Sequence, residues 1–262
     1  MTLNITTLAD QLHLAAQNRQ TCPPLREQIT QTQDPVQTAY AVQQANVQRR
    51  LDAGARIVGR KIGLTSKAVQ QQLGVDSPDY GCLFDDMAFG DNEMIDIQTL
   101  MQPKIEAEIV LVLEKDLTQE RHTFTDLISA TAYALPALEI VDSRIENWDI
   151  QLTDTIADNA SCGLFVLGSQ PKLLREFDLV GCSMRLQKND QTVSQGQGCA
   201  CLGNPLNAAR WLADRMVQLG TPLRTGDILL TGALGPMAVV EAGAHYHAHI
   251  TGLGSVRTQF SA

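Results

Sequence analysis

A chain of 262 residues, 44% hydrophobic and 19% charged, has ordinary globular composition, which excludes a disordered protein. Its net charge of −9, with no dense stripe of lysine and arginine, argues against a nucleic-acid surface. No apolar run approaches the ~20 residues that a bilayer span needs, and MTLNITTLADQLHLAAQNRQ lacks the basic start and unbroken apolar segment of a signal peptide. Six scattered cysteines without a CxxC predict reduced thiols and a cytoplasmic setting, with neither nucleic acid nor membrane as partner.

In chain order, Leu8 to Ala16 has helical spacing, and Asp34-Pro35 supplies an N-cap and first-turn proline for a second helix. Val36, Tyr40, Val47 and Leu51 share one face of that helix, and Gly54 suits its stop. From Ile57 the pattern changes to short strands. RIVGRKIGL is one, with Lys61 on the same face as Gly59 and Gly63. That lysine is either a surface residue or, with space left by the glycines, a ligand-facing one able to move protons. VDSPDYGCLFDDM brings Asp76, Asp79, Asp85 and Asp86 around Pro78, read as turn or cap residues, one of them a candidate acid/base on a mobile loop.

KIEAEIVLVL, from Lys104 to Leu113, alternates as a strand does, placing Glu106 and Glu108 on one face of an apolar segment. Alone, the pair is equally explained by an edge strand in water. A helix capped by Thr125 is expected in TFTDLISATAYA. The next strand, ALPALEIVD, adds Glu139 between apolar neighbours. At ~4 Å and an effective dielectric near 20, each like-charged pair costs about 4 kcal/mol, which a divalent cation removes. All-oxygen ligands select Mg²⁺ or Mn²⁺ and leave positions for a small 2-oxo or 2-hydroxy acid.

DTIADNASCGLF reads as a capped turn before a strand, with Ser161 a candidate ligand contact and no GxSxG elbow around it. LVGCSMRLQKND and QTVSQGQG form a hairpin turning at Asn189-Asp190, and PLNAARWLADRMVQLG is an amphipathic helix ending at Gly220. GDILLTGALGP lacks the Lys-Ser/Thr ending of a phosphate loop, though its backbone N–H groups around Thr231 and Gly232 suit a substrate carboxylate. His245, His247 and His249 share a strand face and are read as the exposed face of a surface strand rather than a zinc site. With no repeat or long linker, one α+β domain over residues 1–262 is expected, a helical N-terminal layer (1–56) leading into a strand-rich body (57–262).

Together, GRKIGLTSKAVQQQLGVDSPDYGCLFDDM, KIEAEI, PALEIVDSR, DTIADNAS and GDILLTGALGPM resemble the 2-keto-4-pentenoate hydratases of meta-cleavage aromatic degradation, within the fumarylacetoacetate hydrolase-like superfamily. The likeness spans nearly the whole chain in order. It implies a mixed β-roll core, a metal-dependent hydro-lyase with no organic cofactor, and a homo-oligomer that admits association with a neighbouring pathway enzyme. By motif it implies Glu106, Glu108 and Glu139 as ligands of Mg²⁺ or Mn²⁺, Lys61 and Asp79 as acid/base residues, and Ser161 as a substrate contact. The implied reaction converts 2-hydroxypenta-2,4-dienoate to 4-hydroxy-2-oxopentanoate. A 2-oxo-3-hexenedioate (4-oxalocrotonate) decarboxylase fits the same pattern. An acylpyruvate hydrolase fits less well, because Asn159 stands where that branch tends to place a lysine. A non-catalytic subunit has no use for three clustered acids. The acidic, apolar PDYGCLFDDM loop, in a stretch without cations between Lys67 and Lys104, favours an uncharged substrate tail over a dicarboxylate.

Overall fold

The first helices start where side chains can satisfy free amides. Asn4 accepts from the Thr6 N–H ahead of α1 (Ile5–Asn18), and Asp34 from the Gln37 N–H ahead of α3 (Pro35–Asp52), with the short α2 (Arg26–Ile29) between them. The structure, a computed structural model, describes residues 4–67, 70–71 and 75–262. The buried face of α3 is Ala39, Val42, Gln43 and Val47, not the stripe that includes Val36, which is exposed. Gln43 explains the difference. Its side-chain amide donates to the carbonyls of Tyr80 and Ile156, so a polar residue turns inward where two backbone acceptors await it. Gly54 follows the helix with φ +95°, as its position predicts.

Two curled sheets carry the body. The larger contains β1 (Ile57–Gly63), β2 (Asp79–Phe84), β3 (Ala88–Gly90), β5 (Lys104–Leu113), β6 (Thr131–Val141), β7 (Cys162–Leu167), β10 (Ile228–Ala233) and β11 (Ala238–Val239). Its order is β2-β1-β10-β5-β6-β7-β3, with β11 also on β5. The smaller contains β4 (Met94–Ile95), β8 (Ser183–Lys188), β9 (Gln191–Gln197), β12 (His245–Ile250) and β13 (Gly254–Phe260), ordered β4-β13-β12-β8-β9. Ile105, Ala107, Ile109 and Leu111, one face of β5, pack in the cluster that also holds Leu186, Tyr246, Ala248, Val256 and the α6 (Pro205–Gln218) residues Leu212 and Met216. This is the α+β arrangement expected from the sequence, with helices ahead of mixed sheets. Among the described residues, no helix is long and apolar enough to cross a membrane.

Three local expectations change. Helix α4 (Phe124–Ala130) is capped by Thr123 rather than Thr125, through a reciprocal pair with Asp126, and TAYA belongs to β6. Residues 79–84 form the buried strand β2 rather than a mobile loop. Asp85 and Asp86 are exposed and pair with Arg56 and Arg50. Finally, DTIA is helix α5 (Leu152–Ala157), not a turn. The Asn189-Asp190 hairpin is found with φ 47° and 66°, the handedness that a tight turn between twisted strands requires.

Candidate active site

Alternation along β5 puts Glu106 and Glu108 on the face opposite Ile105, Ala107 and Ile109. Antiparallel pairing then sets Glu106 directly across from Glu139 of β6. The β5–β10 register slips between Leu230 and Ala233, and there Gly232, at φ +116°, turns its N–H onto Glu108 Oε2 at 2.8 Å. A Cβ at this position would run into Thr65, so the bulge needs glycine both for its φ and for space. Thr231 points the other way, its hydroxyl donating to the Ile109 carbonyl at 2.7 Å. Thr231 and Gly232 thus stand behind the carboxylates.

Lys61 is buried, and its Nζ lies 3.1 Å from Glu139 Oε1. Burial alone would lower its proton affinity, but the carboxylates of Glu139 and Asp79 reverse that and hold it firmly as an ammonium. Asp79, on the neighbouring β2, is also buried. Its Oδ2 accepts from the Thr155 hydroxyl at 3.5 Å, and its Oδ1 has no hydrogen-bond partner among the described residues. Gly63 makes room for that carboxyl, since a Cβ there would overlap Oδ1. Burial raises the Asp79 carboxyl above the usual range, opposed by Lys61. Burial and then Glu139 raise Glu106 to about 7, and burial with the same neighbour raises Glu108 well above its ordinary value.

Two stretches of left-handed backbone complete the walls. Asn159, Ala160 and Ser161 have φ of 54°, 53° and 52° in succession. Such residues each cost on the order of 1–3 kcal/mol unless the surroundings hold them. Here the Asn159 amide pairs with both backbone groups of Cys82, and Asp158 is bound by the largely buried Arg144 guanidinium. Arg144 also donates to the Asp142 and Cys162 carbonyls at 2.7 and 3.0 Å, so the end of β6 and the start of β7 are tied to it. The second stretch is Asn147 and Trp148, with φ of 57° and 55°. The Trp148 indole N–H donates to the Gln102 carbonyl at 2.9 Å.

These pieces enclose a cavity of about 470 Å³ lined by Lys61, Asp79, Glu106, Glu108, Glu139 and Ser161. Apolar side chains, among them Ile62, Leu64, Val141, Ile150, Leu234 and Met237, supply most of its remaining wall. Six of the eight residues singled out from the sequence therefore meet in one space. Among the described residues, four carboxyl groups face a single ammonium there, an excess of negative charge that burial penalises strongly. The donor set has the chemistry of a hard divalent cation site. Among the described residues, however, no three His, Cys, Asp or Glu side chains already stand as a chelating group. Glu108 is turned to Gly232 and Glu139 to Lys61. The residues fit a cation by donor type and charge, without a closed cage.

The histidines lie elsewhere. On β12, His245 is exposed, and His249 Nδ1 lies 3.0 Å from Ser255 Oγ. Burial and then Arg257 lower the proton affinity of His247. Thr155, Arg144, Asp158 and Trp148 escaped the sequence reading. Each acts through a contact distant in sequence or through a positive φ that no residue type announces.

The chain belongs to the fumarylacetoacetate (FAA) hydrolase C-terminal family, whose pattern matches residues 44–261. Within it, the chain is 60% identical over 258 residues to the 2-keto-4-pentenoate hydratase of Burkholderia vietnamiensis, covering 98% of each. It is equally similar, 60% over 257 residues, to the 2-keto-4-pentenoate hydratase of Paraburkholderia phymatum, covering 98% of this chain and 97% of that one. Among solved structures, 4-oxalocrotonate decarboxylase from Pseudomonas putida G7, complexed with magnesium and adipate, superposes with a TM-score of 0.90 at 33% identity, over 98% of this chain and 97% of that one.

Proposed function

We propose that this protein is a divalent-metal-dependent hydratase that converts 2-hydroxypenta-2,4-dienoate to 4-hydroxy-2-oxopentanoate in aromatic meta-cleavage catabolism. The observation that carries the chemistry is the cavity itself, where one ammonium and a buried carboxyl face three glutamates inside an otherwise apolar wall. The likeness to the hydratases over essentially the full chain supports the substrate class. Glu106, Glu108 and Glu139 are the residues that would hold Mg²⁺ or Mn²⁺. When bound there, the cation would supply Lewis-acid stabilisation of charge on the substrate's carboxylate and 2-oxygen.

The chain's own groups handle the protons. Asp79, whose carboxyl burial raises above its ordinary range, would donate to C5 of the dienol while the 2-hydroxyl gives up its proton, leaving a 2-oxo-3-enoate. Water then bonds to C4, its proton passing to the basic form of Asp79 or through Lys61, and C3 takes up a proton. Ser161, on the left-handed turn that lines the cavity, would contact the substrate. Gly232 fixes Glu108 through its N–H, and Thr231 fixes the strand behind it.

A decarboxylase reading draws support from the 0.90 superposition on 4-oxalocrotonate decarboxylase. The test offers 2-hydroxypenta-2,4-dienoate and 2-oxo-3-hexenedioate side by side with Mg²⁺ and identifies products. The hydratase reading predicts kcat/KM at least roughly 100-fold higher for the five-carbon dienol. Faster CO₂ release from the dicarboxylate overturns it. The loop invoked for this preference from sequence contributes only Asp79 to the cavity, so the discrimination must come from other walls.

A further inference from the structure

One of those walls holds a cation in check. Lys104 is on the same face of β5 as Glu106 and Glu108, one step beyond them. A lysine at that place could reach toward a bound substrate's distal carboxylate. Instead its Nζ lies 4.0 Å from the centroid of the Trp148 ring, and Trp148 itself lines the cavity beside Val141 and Ile150. The ring is immobilised from three directions: by the indole N–H bond to Gln102, by the ammonium over its face, and by the consecutive left-handed residues Asn147 and Trp148. A bulky residue at positive φ is an outlier that persists only where the surroundings over-determine it. Lys104 lies behind Trp148 rather than in the cavity lining, and the lysine that does line it, Lys61, is already committed to Glu139.

We propose that Trp148 is a specificity-determining residue: it forms the apolar end wall for the substrate tail and clamps Lys104 against its ring, denying a second carboxylate the cation it would need. The proposal rests on the hydratase reading for the substrate class, since it states why a short uncharged tail is preferred over a dicarboxylate. Discrimination of this kind is set by what the pocket withholds from the wrong ligand as much as by what it offers the right one.

The test replaces Trp148 with leucine, alone and together with Lys104→Met, in metal-saturated enzyme whose fold is checked by thermal melting. Binding of two unreactive ligands, 2-oxopentanoate and 2-oxoadipate, is measured by calorimetry alongside kcat/KM for the five-carbon dienol and the six-carbon dicarboxylate. Trp148→Leu is expected to shift the preference toward the dicarboxylate by at least about tenfold in both readouts, and Lys104→Met in that background to abolish the gain. An unchanged preference in a folded Trp148→Leu protein, or a gain that survives Lys104→Met, overturns the proposal. If Trp148→Leu fails to fold, Trp148→Phe with and without Lys104→Met is read by the same criteria. Failure of the parent to hydrate the dienol counts against the hydratase reading alone, because the binding comparison still decides the role of Trp148.

Discussion

Strands β5 and β12 carry the same kind of pattern and have opposite fates. KIEAEI and HYHAHI each place polar residues at every second position between apolar ones. In β5 the polar face turns into a cavity, Glu108 buried and Glu106 partly so, among groups that shift one another's proton affinity. In β12 the apolar face (Tyr246, Ala248 and Ile250) is buried, while on the histidine face His245 is exposed and His247 and His249 are half-buried. Period-two alternation defines two faces. Which medium each meets depends on what is laid over it. For β5, the covering elements bring Lys61, Asp79 and Ser161; for β12, the adjacent strands bring Arg185, Arg257 and Ser255.

Removing the metal should break the contrast most completely. Exhaustive chelation is expected to take dienol hydration to background, with recovery on adding Mg²⁺ or Mn²⁺, followed by loss of the dienol's ultraviolet absorbance. Undiminished turnover in metal-free protein would show that the buried acids serve another purpose. Next in size, Lys61→Met should lower kcat by roughly 10²–10⁴-fold in metal-saturated protein, whereas His249→Asn on β12 should stay within about threefold of the parent. Similar losses in both variants would erase the distinction between the two faces.

A third comparison sets two arginines side by side. Arg144 is largely buried on the carboxylate of Asp158 and the carbonyls around the left-handed turn, while Arg185 is exposed on β8. Arg144→Met strands a buried Asp158 charge and is expected to destabilise by about 3–5 kcal/mol in urea unfolding. Arg185→Met should stay within about 0.5 kcal/mol. A mild Arg144→Met would mean that the Asn159–Ser161 turn stands without its ion pair.

The smallest effect is in pH. Glu106 titrates near 7 in the folded protein against an ordinary 4.5, so the folded state holds a proton that the unfolded chain has lost across that window. Metal-free protein should therefore gain stability as pH falls from about 7 toward 4.5, and Glu106→Gln should flatten that gain. His247 acts in the opposite sense. Its lowered affinity means that acid favours the unfolded chain as pH falls through 6.5, so His247→Asn should steepen the metal-free gain. Parallel pH–stability curves for parent and Glu106→Gln would return Glu106 to an ordinary solvated carboxylate.

Much of this molecule was legible in residue order, because the signals were local. Asp34-Pro35 opens a helix, Asn189-Asp190 turns a hairpin, and Glu106, Glu108 and Glu139 stand out because carboxylates in apolar strands need a reason. The Thr123 cap was misplaced by two residues for want of weighing its partner Asp126, also a local fact. The family likeness then joined Lys61, Asp79 and Ser161 to those acids. Backbone and packing decided the rest. That PDYGCLF is a buried strand follows from β1 lying beside it and Gln43 capping a carbonyl from another layer. The left-handed turns at Asn147-Trp148 and Asn159–Ser161 carry no glycine to announce them; ties to Gln102, Cys82 and Arg144, all remote in sequence or direction, hold them in place. Period and residue type set by themselves which side chains share a face. Only the folded chain decided which face would be closed off from water, and low dielectric there is what turns a row of glutamates into chemistry.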